Sequence, residues 1–127
     1  MRVALISPKW NKMVNSYPSL GLAYLAAVVE RRGHRVRVFD FGLDPGRPLE
    51  EEVEDVLAFE PALIGITSMT SAYHSVEQAL ELLRPRTEAH IVLGGPHATV
   101  FPERTLREQP AVDSLVYGEG EETLLEL

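Results

Sequence analysis

Short apolar runs alternate with stretches of helical periodicity along the whole chain. Val3 to Ile6 is a continuous apolar run closed by Ser7-Pro8, which reads as a strand buried on both faces. A helix is predicted over 19–32, with Ser19 as N-cap and Gly33 as its stop. Its apolar positions (Leu20, Leu22, Ala23, Leu25, Ala26, Val28 and Val29) run almost all round, so heavy burial is expected. Val36, Val38 and Phe39 alternate with Arg35 and Arg37, the pattern of an edge strand with one wet face. After a Gly- and Pro-rich loop, Leu49, Val53, Val56 and Leu57 recur at helical spacing until Pro61.

The alternation continues. Ala62 to Ile66 reads as a third strand. Tyr73, Val76, Leu80 and Leu83 share one face of a helix that Thr70 or Ser71 can cap. Ile91 to Leu93 is a fourth strand ending on Gly94-Gly95-Pro96. Pro102 suits the first position of a short helix, which Pro110 closes. Leu115 to Tyr117 is a fifth strand, and a last helix is expected over 118–127 with Glu119, Glu121 and Glu122 in its first turn. Five βα units in one domain, 1–127, predict an α/β fold: a five-stranded parallel sheet of flavodoxin-like order 2-1-3-4-5 between helical layers. The final helix reaches Leu127 without a capping residue, a sign that the natural polypeptide continues.

Composition narrows the chemistry. A net charge of −7 argues against nucleic acid and against anionic membrane surfaces. The chain has no cysteine, so it can form no disulfide and supply no thiolate to an iron–sulfur cluster. The apolar start is too short for a signal peptide and no run approaches a membrane span, so a cytoplasmic location is expected.

In such sheets ligands bind beyond the carboxyl ends of the strands, at the switch point between the first and third. Four segments converge there: Ser7-Pro8-Lys9-Trp10, Thr67-Ser68-Met69-Thr70, Gly94-Gly95-Pro96-His97 and Gly118-Glu119-Gly120-Glu121, with Gly21 near the first helix. Small residues let a backbone approach something large and flat. Gly118 and Gly120 are explained equally by a turn or by a ligand. One glycine would suffice for the turn at 94–95, so the adjacent pair points to a ligand. A receiver domain, a flavodoxin or a dinucleotide fold would need acidic, hydroxyl-rich or G-x-G-x-x-G loops after the first strand, and none is present.

In order and spacing these segments resemble the cobalamin-binding domain that precedes the catalytic barrel of many radical-SAM enzymes. The matching stretches are Pro18 to Ala26, Gly33 to Val36 with Asp40, Gly65 to Thr70, Gly94 to Thr99 with Pro102-Glu103, and Val112-Asp113 with Gly118 to Thr123. The resemblance implies base-off cobalamin over the carboxyl ends of the strands, its nucleotide tail threaded into the domain. It implies a downstream barrel in the same chain with S-adenosylmethionine and an iron–sulfur cluster, a methyltransferase or cyclase in which this part alone catalyses nothing. By position, Ser7, Pro8, Gly21, Thr67, Ser68, Met69 and Thr70 would line the cofactor. Gly94 and Gly95 would pass its tail, with Pro96 beside them; His97 would hydrogen-bond within the loop or to the tail phosphate; and Gly118, Glu119, Gly120 and Glu121 would close the tail pocket. The family's better-known modules carry D-x-H-x-x-G after the first strand, and this chain does not. An open lower face of cobalt is therefore expected, since that loop offers Ser7, Pro8, Lys9, Trp10 and Asn11 but no imidazole.

Two other readings stand beside it: a degenerate interaction domain that only docks on a barrel, and a flavin or nucleotide binder, which the loops disfavour. Of the remaining residues, His34 and His90 are expected to be structural and His74 a surface residue. Met69 and Tyr73 would serve the ligand or the core, Trp10 and Tyr17 a ligand or a partner domain, and Glu50 to Glu52 a solvated helix face.

Overall fold

Continuous apolar strands need cover on both faces, and the chain supplies it with helices on either side of one parallel sheet. The computed structural model describes residues 1–8, 20–43, 46–67, 73–95 and 102–116. The strands are β1 (Arg2–Ser7), β2 (Arg35–Asp40), β3 (Leu63–Thr67), β4 (His90–Gly94) and β5 (Ser114–Leu115). Their order is β2-β1-β3-β4-β5, all pairs parallel, as the βα alternation predicts. The described helices are α1 (Leu20–Arg31), α2 (Leu49–Ala58), α3 (Tyr73–Leu83) and α4 (Pro102–Glu108). Residues 41–43, read as loop in part, form a 3-10 turn, and a second turn, Arg84–Arg86, follows α3. The ladder at β5 runs from the amide of Asp113 to that of Val116, bonded to Ile91 and Leu93 carbonyls, one to two residues earlier than the apolar run suggests. Ser19, Thr70, Ser71 and the helix expected over 118–127 lie outside the described residues.

Side chains alternate across the sheet. Ala4, Ile6, Ile64, Ile66, Ile91 and Leu93 point to α2 and α3, where Val53, Val56, Val76, Leu80 and Leu83 complete the larger core. Val3, Leu5, Leu63, Val92 and Val116 point the other way, to Leu22 and Val29 of α1. Gly33 ends α1 at a φ of +87°, the left-handed value its role as a stop requires.

Three expectations need correction. α1 is not heavily buried: Leu22 and Val29 are, but Ala23, Tyr24 and Ala27 are exposed, because only one side of the helix meets the sheet. β2 is an edge strand, yet it is wet on both faces, with Arg35 and Arg37 exposed on one and Val38 on the other. Glu52 is buried at 4% exposure, unlike Glu50 and Glu51, because its place one residue before Val53 turns it inward.

The amino-terminal end of the sheet is tied by Arg84. Its guanidinium donates to the carbonyls of Thr87 (2.7 Å), Ala89 (3.0 Å) and Ala111 (3.3 Å) and to Asp113 Oδ2 (3.0 Å). Asp113 Oδ2 also accepts from the Ile91 amide at 2.8 Å. That hydrogen bond, and then Arg84, hold the Asp113 carboxyl below the usual range. His90 sits in the same region, hydrogen-bonded to Ser114, and His34 lies 3.1 Å from the amino terminus. Both have the structural roles expected, and His74 is exposed.

Candidate cofactor site at the carboxyl edge

The strands end on small or polar residues, and the register sets those residues side by side. Asp40 pairs with Ser7. Ile6 pairs with Ile66, and Thr67 with Gly94, so Asp40, Ser7, Thr67 and Gly94 form one row across the sheet. By alternation, the row lies on the face that carries Val3, Leu5, Leu63 and Val92, the side of α1. One residue below, on the opposite face, Ile6, Ile66 and Leu93 are fully packed beneath α2 and α3. Among the described residues, the large side chains at this edge are therefore on the α2 and α3 side. Gly21 stands in the first turn of α1.

Within the row, Ser7 is buried and Asp40, Thr67 and Gly94 are half-buried. The Asp40 carboxylate accepts the Gly42 amide at 3.0 Å, which turns the chain as it leaves β2. The floor is closed. A Cβ on Gly65 would stand 2.9 Å from Leu5 Cδ2, so the Leu5 side chain lies across the glycine and fills the level below Thr67.

The glycine pair divides into two cases. Gly95 adopts a φ of +92°, a backbone reason for glycine. Gly94 is different. Among the described residues, a Cβ there would meet only the Val116 carbonyl oxygen, at 3.6 Å, an ordinary contact. Among the described residues, neither backbone nor packing requires glycine at 94. Tyr73, at the start of α3, packs half-buried against the larger core, and burial, then the Glu77 charge, push its phenol pKa up. Pro8 is buried just past β1. Ser68, Met69, Thr70, Pro96, His97, Gly118, Glu119 and Gly120 lie outside the described residues, as do Trp10 and Tyr17. Asp40, part of a matching stretch but not named as a site residue from the sequence, joins the row through the register; Leu5, which looks like any strand residue, escaped the sequence.

Residues 11–127 match the family model of the B12 binding domain. The chain belongs to that family. As a B12-binding domain it is 36% identical, over its full length, to an uncharacterized methyltransferase of Pyrococcus horikoshii, covering 28% of that protein. It is 32% identical to the cytidylyl-2-hydroxyethylphosphonate methyltransferase of Streptomyces wedmorensis, over 87% of this chain and 24% of the relative. An anaerobic magnesium-protoporphyrin IX monomethyl ester cyclase of Rubrivivax gelatinosus is 28% identical over the whole domain, 24% of its length. The domain spans about a quarter of the length of these curated relatives. Its fold matches the radical S-adenosylmethionine methyltransferase TsrM of Kitasatospora setae, solved with cobalamin and an iron–sulfur cluster bound. The TM-score is 0.85 at 22% identity, over 98% of this domain and 23% of that chain.

Proposed function

We propose that this domain holds cobalamin, base-off, at the carboxyl edge of its sheet for a radical-SAM barrel downstream in the same cytoplasmic polypeptide, a methyltransferase. Family membership supports the cofactor. The relatives support the setting, since two are named methyltransferases and this domain is about a quarter of each. The observation that carries the reading is Gly94, a glycine that nothing among the described residues requires, in a row of small and hydroxylated residues.

The residues present fit such a group. The Ser7 and Thr67 hydroxyls would hydrogen-bond its periphery. Gly94 would let the tail pass close to the backbone, and Leu5 would set how deep it reaches. The packed layer of Ile6, Ile66 and Leu93 bars the opposite face. Cobalamin, when bound, supplies a carrier for a methyl group, and this domain's share is to bind and orient it. A C-x-x-x-C-x-x-C segment is expected beyond Leu127, because this chain offers no cysteine to a cluster.

Titration of cobalamin against wild type and Gly94→Val tests the assignment. Affinity should fall at least about tenfold, roughly 1.4 kcal/mol, with the unfolding midpoint near that of wild type. Gly94 is a cleaner probe than Gly95, where any L residue is strained at a φ of +92°. Equal binding by a folded Gly94→Val variant would move the tail elsewhere. Failure of wild type to bind would leave a domain that only docks.

A further inference from the structure

A helix that is apolar almost all round belongs in an interior. α1 has that sequence, yet the sheet covers only the stripe of Leu22, Leu25, Ala26 and Val29. On the other side, Ala23, Tyr24 and Ala27 are exposed, Tyr24 at 61%. These positions recur at helical spacing and form one surface strip. Val38 continues the apolar surface on the same face of the sheet, at 41% exposure on edge strand β2. An edge strand presents unpaired backbone groups and is left open at a cost unless something protects it.

Exposed arginines border this surface in a domain that is acidic overall. Arg31 and Arg32 stand with Glu30 at the end of α1, and Arg35 and Arg37 flank the β2 edge from the face of the sheet opposite Val38. Among the described residues, Arg31, Arg32 and Arg35 have no ion pair, and Arg37 stacks on the Phe39 ring. Most arginines elsewhere are matched: Arg2 with Glu60, Arg47 with Asp55, Arg84 with Asp113, Arg86 with Glu54 and Arg104 with Glu108, while Arg107 on α4 is exposed with no ion pair among the described residues. An aromatic centre with an unmatched basic rim has the composition of an interface.

We propose that the outer face of α1 and the β2 edge form a docking surface for the polypeptide that follows Leu127, which seats an apolar patch on Tyr24 and sets acidic groups against the arginine rim. The proposal rests on the reading that this domain opens a longer enzyme. Two observations favour that occupant over a second copy. The relatives carry about three-quarters of their length outside the matched domain. The rim also calls for an acidic counterpart, whereas the same strip on another copy would bring arginine against arginine. This surface is separate from the cofactor row, so the domain would be held to its parent along the side of α1 as well as at its ligand edge.

The test uses the full-length parent protein with Tyr24 replaced by the photo-cross-linker p-benzoyl-phenylalanine, followed by peptide mass spectrometry. Cross-links to peptides beyond Leu127 are expected. Replacing Arg31 and Arg35 by glutamate should cut their yield at least about threefold, while the exposed Arg107→Glu on α4 should leave it unchanged. Cross-links confined to residues 1–127, or to a second copy in an isotope-mixed sample, would overturn the proposal. So would the absence of cross-links when hydroxyl-radical footprinting of the unsubstituted parent finds Tyr24 as accessible as Leu43, its match in exposure at 62%. The underlying reading fails separately. A reading frame that ends at Leu127, or a parent that does not bind cobalamin, would sink it, whereas a cobalamin-binding parent with a solvent-exposed Tyr24 would sink only the docking surface.

Discussion

The two faces of the sheet are built differently. Toward α2 and α3 the strands present Ala4, Ile6, Phe39, Ile64, Ile66, Ile91 and Leu93, and two helices cover them up to the last residues of the strands. Toward α1 the large residues stop earlier: Val3, Leu5, Leu63 and Val92 give way to Ser7, Thr67 and Gly94. Backbone alternation makes this division possible, since one strand can carry a complete core on one side and an unfilled edge on the other. The larger core thus lies on one face of the five strands and the proposed binding edge on the other.

The largest expected effect tests the full side. Leu80→Ala removes a fully buried side chain from the α2/α3 core and should cost about 3–4 kcal/mol. Leu22→Ala in the thinner α1 layer should cost about 2 kcal/mol, because a less crowded site relaxes more easily. Urea unfolding of both variants checks this, and a reversed order would break the comparison. Gly65→Ala comes next. The new Cβ strikes the end of Leu5 at 2.9 Å, so a loss of about 1–2 kcal/mol is expected. Adding Leu5→Val should return part of it, and simple additivity of the two changes would show that Leu5 does not form the floor.

A third experiment compares the two ends of the strands. The amino-terminal end depends on a charged tie, so Asp113→Asn should cost about 1 kcal/mol at neutral pH, a value held down by the carboxylate's partial exposure. The Asp113 pKa is depressed on folding. Its contribution is therefore fully present above the unfolded value near 3.9 and is lost as pH falls through the folded value. Wild type should lose stability in that acid range more steeply than Asp113→Asn, and parallel unfolding curves would remove Asp113 from the account. The smallest effect concerns the glycine pair. Gly94→Ala should change stability by less than about 0.5 kcal/mol, while Gly95→Ala should cost about 1 kcal/mol through its left-handed backbone. Equal costs would return Gly94 to a structural role.

Much of this is legible in one dimension because it depends on neighbours in sequence. Apolar runs of three to five residues, helical repeats ending at Gly33 and Pro61, and the βα alternation determine the elements, the parallel sheet and its order. They also place Ser7, Thr67 and Gly94 at strand ends, since a strand must stop where its apolar run stops. What the sequence left open depends on register and on which side of an element meets another. Asp40 joins the site row only because β2 pairs with β1 at Ser7. The adjacent glycines become distinguishable only when one has a left-handed backbone and the other, among the described residues, only an ordinary contact for a Cβ. The apolar circumference of α1 says that the helix is to be covered, but only packing decides that the sheet covers half of it and leaves Tyr24 outside. Burial is a property of pairs of surfaces, and a sequence states only one member of each pair.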